Sequence, residues 1–388
     1  MRQVWTLTVA QAFAACGTIT LVAFGGIVGA RLAPTPALAT LPWSLSIVGM
    51  AAASLPAALL MQRVGRRPVF IGSALLGALG ALACAAAIAH DSYAALCLTG
   101  LVFGANSAVV QQYRFAAVEA APPDGAARAV ATVMLGTLVA AVVAPALGER
   151  VRHLGGWPEY TGSFVVLAGL LLCAALALSR VVTAPPAPAA RRTEGRSLRE
   201  LLRGADYRLA LLGALSSYAV MSFIMTATPI SMHVHDGFDG HATAGVITAH
   251  LLGMYLPSLV SPWLTGRLGV RGMMLAGLAA NFACIGIVAA VGRGFAHYFV
   301  ALVLLGVGWN LLFVGATALL ADAHSAEERF RAQGFNDLVV FGCQAVASLL
   351  AGFALESIGW TALNLATLPL LLVTTWMVLR RGEVTPAR

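Results

Sequence analysis

The chain has 388 residues, 59% of them hydrophobic and 10% charged, with a mean hydropathy of +0.85. That composition excludes a soluble domain of this length, and apolar runs recurring from end to end indicate a polytopic membrane protein. The net charge of +8 comes from 24 arginines and no lysine, and is read as cytoplasmic loops rather than as a nucleic-acid surface.

Twelve spans are expected, at 6–30, 41–61, 68–89, 94–117, 128–149, 161–180, 208–232, 241–264, 273–292, 297–320, 332–355 and 360–379. Each approaches or exceeds the ~20 residues that cross a bilayer core. The run through Phe13-Ala14-Ala15-Cys16 continues to about Val28, which suits a first spanning helix better than a cleaved leader. Cys16, Cys84, Cys97, Cys173, Cys284 and Cys343 all sit in apolar runs without a CxxC spacing, so no disulfide framework is expected. They read as small buried hydrophobes or, more sharply, as soft-metal relays.

With the N-terminus in the cytoplasm, 19 arginines fall on the cytoplasmic side, 4 on the other, and Arg114 falls within a span. The bias orients both termini inward, and a bacterial inner membrane is the expected location. Residues 181–207, with Pro185, Pro186, Pro188, Arg191, Arg192, Arg196, Arg199 and Arg203, read as a linker between six-helix bundles at 1–180 and 208–388. An offset of 204 relates Arg63-Val64-Gly65-Arg66-Arg67 to Arg267-Leu268-Gly269-Val270-Arg271, and also Asn106 to Asn310. A shared offset argues for duplication.

An all-α protein of twelve helices in two parallel six-helix repeats resembles the major facilitator superfamily. Arg63, Gly65, Arg66 and Arg67 look like that superfamily's gating loop between helices two and three. Gln62 stands where the family commonly has Asp. The resemblance implies a secondary transporter working by alternating access, not an enzyme. No Walker-type GxxxxGK[ST] sequence is present, so no ATP module or bound cofactor is expected.

Charged groups within spans usually mark function. Arg114, in Gln111-Gln112-Tyr113-Arg114, Glu119 one turn on, and Asp337 beside Asn336 all lie toward cytoplasmic ends. They read either as gate ion pairs or as coupling and substrate contacts, together with the span residues Asn106 and Asn310. For an organic solute, Tyr113, Gln111, Gln112, Arg114 and Trp309 are the expected cavity contacts.

Met221 and Met225, and His250 and Met254, are each spaced i, i+4 and so share a helix face. From the ends of spans seven and eight they lie about 10–16 Å and 14–20 Å deep, which permits one shared site. Thioether and imidazole suit copper, whereas plain packing or lipid contact explains a Met pair equally. His233, His235, Asp236, Asp239 and His241 between the spans either gather metal or form a solvated hairpin.

The paired MxxxM and HxxxM motifs resemble the CcoA-type copper importers of the same superfamily. So do the Thr228-Pro229 break, QQYRFAAVEA around Arg114 and GVGWNLLFVGATALLADAHSAEER around Asn310. That resemblance implies Met221, Met225, His250 and Met254 as transient ligands, copper as cargo, and supply of cytochrome oxidase assembly. A monomer with membrane lipids and a downstream copper chaperone as partners is expected. Transport of an organic solute, by drug efflux or as a vitamin such as riboflavin, is the alternative.

Overall fold

In a computed structural model, the described residues are 2–35, 38, 41–122, 125–182, 195–291 and 294–380. All regular structure among them is helical: α1 (Arg2–Leu32), α2 (Leu41–Val64), α3 (Arg66–Ala89), α4 (Tyr93–Val110), α5 (Tyr113–Glu119), α6 (Ala126–Arg150), α7 (Thr161–Leu178), α8 (Leu198–Arg203), α9 (Ala205–Ile230), α10 (Gly240–Tyr255), α11 (Ser261–Val291), α12 (Phe295–Asp322), α13 (Arg329–Leu365) and α14 (Leu368–Arg380). Among the described residues, ten stretches are long and apolar enough to cross a membrane. One of them, 329–380, contains a break at Gly359, and the shorter apolar helix Gly245–Leu259 supplies a further crossing. The expected twelve spans are recovered in this way.

The breaks repeat at the offset seen in the sequence. Gly65 (φ 90°) and Gly269 (φ 69°) both turn the chain after a span, as do Gly155 (φ 73°) and Gly359 (φ 77°). A positive φ at such a point is open to glycine at little cost. Each pair lies 204 residues apart, so the duplication is built into the backbone as well as into the arginines.

The chain divides into two compact units. The first comprises Met1–Leu198 with Ser325–Ala345, and the second Arg199–His324 with Val346–Arg388. The first turns of α13, placed by sequence in the later bundle, thus belong to the first unit. Their polar side chains explain this, because Gln333 bonds to Arg66 of α3, and Asp337 bonds to Gln112 in the break between α4 and α5 and to Arg114 of α5. Residues 183–194 of the expected linker, with Arg191 and Arg192, lie outside the described residues.

Within the first unit α2 packs on α4, α1 on α6 and α3 on α7. A Cβ at Gly49 would lie 2.6 Å from the Leu101 carbonyl oxygen, so α2 and α4 meet backbone to backbone. Such small-residue contacts drive helix association where lipid removes the hydrophobic incentive. In the second unit α12 is the central helix and packs against α9, α10 and α11. A Cβ at Gly306 would lie 2.5 Å from the His250 carbonyl oxygen, which fixes where α12 crosses α10.

Candidate functional site

The first unit buries a continuous polar network. The fourth span is interrupted at Gln111-Gln112, so Arg114 lies in the first turn of α5 rather than late in an unbroken helix. Arg114 Nη2 meets Asp337 Oδ1 at 2.5 Å, with the two side chains 2% and 0% exposed. Asn336 Nδ2 donates to the same oxygen at 3.1 Å, and Gln112 Nε2 donates to Asp337 Oδ2 at 2.7 Å. Gln111 Oε1 accepts from Arg114 Nη1 at 2.8 Å. A buried ion pair persists only when such further bonds complete its coordination.

The gating-loop arginine joins the same network. Arg66 Nη2 meets Glu119 Oε1 at 2.6 Å and donates to Gln333 Oε1 at 2.7 Å, while Nη1 donates to Gln112 Oε1 at 3.2 Å. Arg329 adds a second cation to Glu119 at 3.4 Å. Phe330 lies under both guanidinium groups, 4.9 Å from Arg66 and 4.7 Å from Arg329. Gln62 cannot offer Arg66 a charge, and Glu119 supplies it instead. Arg63 and Arg67 are exposed, and Gly65 makes the turn. Tyr113 is buried against Phe70 with its hydroxyl unpartnered.

The two repeat asparagines are structural. Asn106 Nδ2 donates to the Ser73 carbonyl and hydroxyl oxygens at 2.8 and 3.0 Å. Asn310 Nδ2 donates to the Met254 carbonyl at 2.7 Å and to Ser258 Oγ at 2.9 Å. Both amides are committed to neighbouring helices.

Of the expected thioether and imidazole groups, Met221, Met254 and His250 are buried, and Met225 is half-buried. Their two helices, α9 and α10, both pack against α12. His250 turns toward α12, where its Nδ1 bonds the Leu302 carbonyl at 2.8 Å. The carbonyl only accepts, so Nδ1 carries the proton and the buried Nε2 is an acceptor with no donor.

The loop residues are also individually engaged. His233 Nδ1 bonds the Phe238 carbonyl at 2.8 Å, and His235 Nε2 meets Glu356 at 3.1 Å. Asp236 accepts from the Tyr298 hydroxyl at 2.6 Å, and Asp239 caps α10 through the Ala242 amide. The side chain of His241 lies outside the described residues. Among the described residues, no group of three or more His, Cys, Asp or Glu is placed to hold a metal ion.

An aromatic cluster is built in the second unit from α9, α10 and α12. Trp309 stacks on Phe313 at 5.3 Å and takes Tyr218 and Tyr255 edge-on at 5.3 and 5.9 Å. Trp309 Nε1 is buried without a hydrogen-bond partner. Of these four rings, sequence reasoning had singled out only Trp309. Tyr218, Tyr255 and Phe313 come from three helices, and no spacing along the chain announces their meeting. Gln333 was also missed, although it lies one turn before Asp337 and so shares its face.

The profile of the family described as Major Facilitator Superfamily matches residues 7–288 and 210–388. The riboflavin transporter RfnT of Brucella anthropi is 40% identical over 382 residues, covering 98% of this chain and 96% of that protein. The uncharacterized MFS-type transporter YdeG of Bacillus subtilis is 30% identical over 98% of this chain and 92% of its own. The crystal structure of the human organic anion transporter MFSD10 superposes with a TM-score of 0.77 at 14% identity, over 97% of this chain and 99% of that one. That last likeness concerns the fold alone.

Proposed function

Because the chain belongs to the Major Facilitator Superfamily, we propose that this secondary transporter carries a riboflavin-like solute into a bacterial cell across the inner membrane. The observation that carries the reading is 40% identity to a riboflavin transporter over nearly the whole of both chains. The second unit supplies compatible chemistry. Riboflavin joins a planar three-ring system, with carbonyl acceptors along one edge, to a polyhydroxylated chain. Trp309, Phe313, Tyr218 and Tyr255 offer ring faces and edges, and aromatic pairs gain about 0.5–1.5 kcal/mol beyond burial. The unpartnered Trp309 Nε1–H is a donor that a ring carbonyl would satisfy.

The comparisons favour the organic-solute reading over copper import, since the relative at 40% identity is a riboflavin transporter. The His250 bond to the Leu302 carbonyl and the burial of Met221 and Met254 are compatible with ordinary packing roles.

Uptake in a host that can neither make nor import riboflavin tests the proposal. Expression of this chain should restore growth on low riboflavin and accumulate labelled riboflavin, with copper content unchanged. Copper accumulation without riboflavin uptake would sink it.

A further inference from the structure

A cavity lies at the end of the first unit where α1 begins and α7 ends. It has a volume of about 500 Å³ and is lined by Arg2, Gln3, Thr6, Val9, Ala177, Arg180 and Val182. The volume falls within the roughly 300–1,000 Å³ of small-molecule sites. Its lining is divided by chemistry. Arg2 and Arg180 bring two guanidinium groups, and Val9 and Val182 are exposed apolar side chains. The Val182 amide donates to Gln3 Oε1 at 3.1 Å, which ties the exit of α7 to the start of α1.

Among the described residues neither Arg2 nor Arg180 forms an ion pair, whereas nearby Arg66 and Arg329 are both spent on Glu119. Arg2, Thr6 and Val9 follow one another at helical spacing on α1, so charge, hydroxyl and apolar surface descend one face. Trp5, half-exposed beside them, is the residue type that anchors a helix at the membrane interface. Cations at the polar rim above an apolar wall match a phosphodiester joined to acyl chains.

We propose that this cavity binds the headgroup of an anionic phospholipid, with Arg2 and Arg180 on the phosphate and the acyl chain against Val9. Basic pockets between membrane helices take anionic headgroups, and each near-surface arginine contributes about a fivefold gain in affinity. The site is independent of the transported solute.

Native mass spectrometry of the purified full chain tests this by titration with phosphatidylglycerol or phosphatidylcholine. The wild type should retain phosphatidylglycerol preferentially. The Arg2→Gln/Arg180→Gln variant should bind it about thirtyfold more weakly, as loss of two such contributions implies. Arg2→Lys/Arg180→Lys should keep most of the binding, and Arg31→Gln, which removes an exposed charge at the opposite end of α1, should change nothing. Should the double variant fail to purify as a monodisperse protein, the two single variants, each about fivefold weaker, carry the comparison. Equal retention by wild type and charge-removed protein would overturn the proposal. So would equal binding of the two lipids, or displacement of phosphatidylglycerol by inorganic phosphate at equal concentration.

Discussion

Gln112 donates to Asp337 Oδ2 at 2.7 Å while its own carbonyl oxygen accepts from Arg66 at 3.2 Å. One neutral side chain thereby joins the buried pair Arg114–Asp337 and the partly buried pair Arg66–Glu119 into a single network. An amide can do this because it is donor and acceptor at once. Neither a carboxylate nor an ammonium could satisfy both neighbours.

Removing one member of the buried pair should therefore cost more than removing both. Arg114→Gln or Asp337→Asn alone leaves an uncompensated charge, at about 3–5 kcal/mol. The double variant should recover a large part of that loss. Thermal unfolding in detergent checks it, and additive single effects would contradict the coupling.

Gln112→Leu keeps the volume roughly constant and deletes both bonds. Hydrogen bonds to charged groups contribute about 1.5–3 kcal/mol each, so a clear loss of stability is expected. Gln112→Glu should be worse still, since it sets a second carboxylate against Asp337. If Gln112→Glu matched the wild type in melting temperature, the bridging role would be wrong.

Trp309 separates ring from donor. Trp309→Phe retains an aromatic surface against Phe313 and Tyr218 and removes the indole N–H together with its fused five-membered ring. It should raise KM for riboflavin about fivefold, the worth of one net hydrogen bond, with a smaller loss of stability than Trp309→Ala. Trp309→Ala should lose stability as well, by about 3–5 kcal/mol. An unaltered KM in Trp309→Phe would remove the donor from the solute site.

Methionine should prove replaceable. Met221→Leu, Met225→Leu and Met254→Leu each conserve volume and should cost less than about 1.5 kcal/mol. Riboflavin uptake by the triple variant should equal that of the wild type. Loss of uptake with retained folding would restore a functional role for sulfur.

Glu328 anchors the far end of the linker. Its carboxylate accepts from the Arg196 amide at 2.7 Å, from the Arg196 guanidinium at 2.8 and 2.9 Å and from the Ser325 amide at 2.9 Å. The Arg196 side chain is the main cause that holds its pKa near 2, below the usual 4.5. A depressed carboxylate stabilises the fold fully above its ordinary pKa, and the contribution fades as pH falls from about 5 toward 2. Because Arg196 is half-exposed, solvent screening keeps the effect modest. Glu328→Gln should speed tryptic cleavage after Arg196 at pH 7 and abolish any acid-induced increase. Identical cleavage rates in the two proteins would show that the anchor is idle.

Hydropathy, arginine bias and the 204-residue offset determined the membrane class, the twelve spans and the duplicated plan, because each is a property of order along one dimension. The offset even foretold the turns at Gly65 and Gly269. Arg114, Glu119 and Asp337 stood out for the same reason, as charges where charge is costly. Their pairing, and the bridging by Gln112, was settled only by tertiary structure, since residues 112 and 337 are 225 positions apart. Met221, Met225, His250 and Met254 show the limit most plainly. Equal depth and helical spacing were legible, but that α12 packs against both α9 and α10 was not. Helix neighbours are chosen by close backbone approach at residues such as Gly306, and that complementarity exists only in three dimensions.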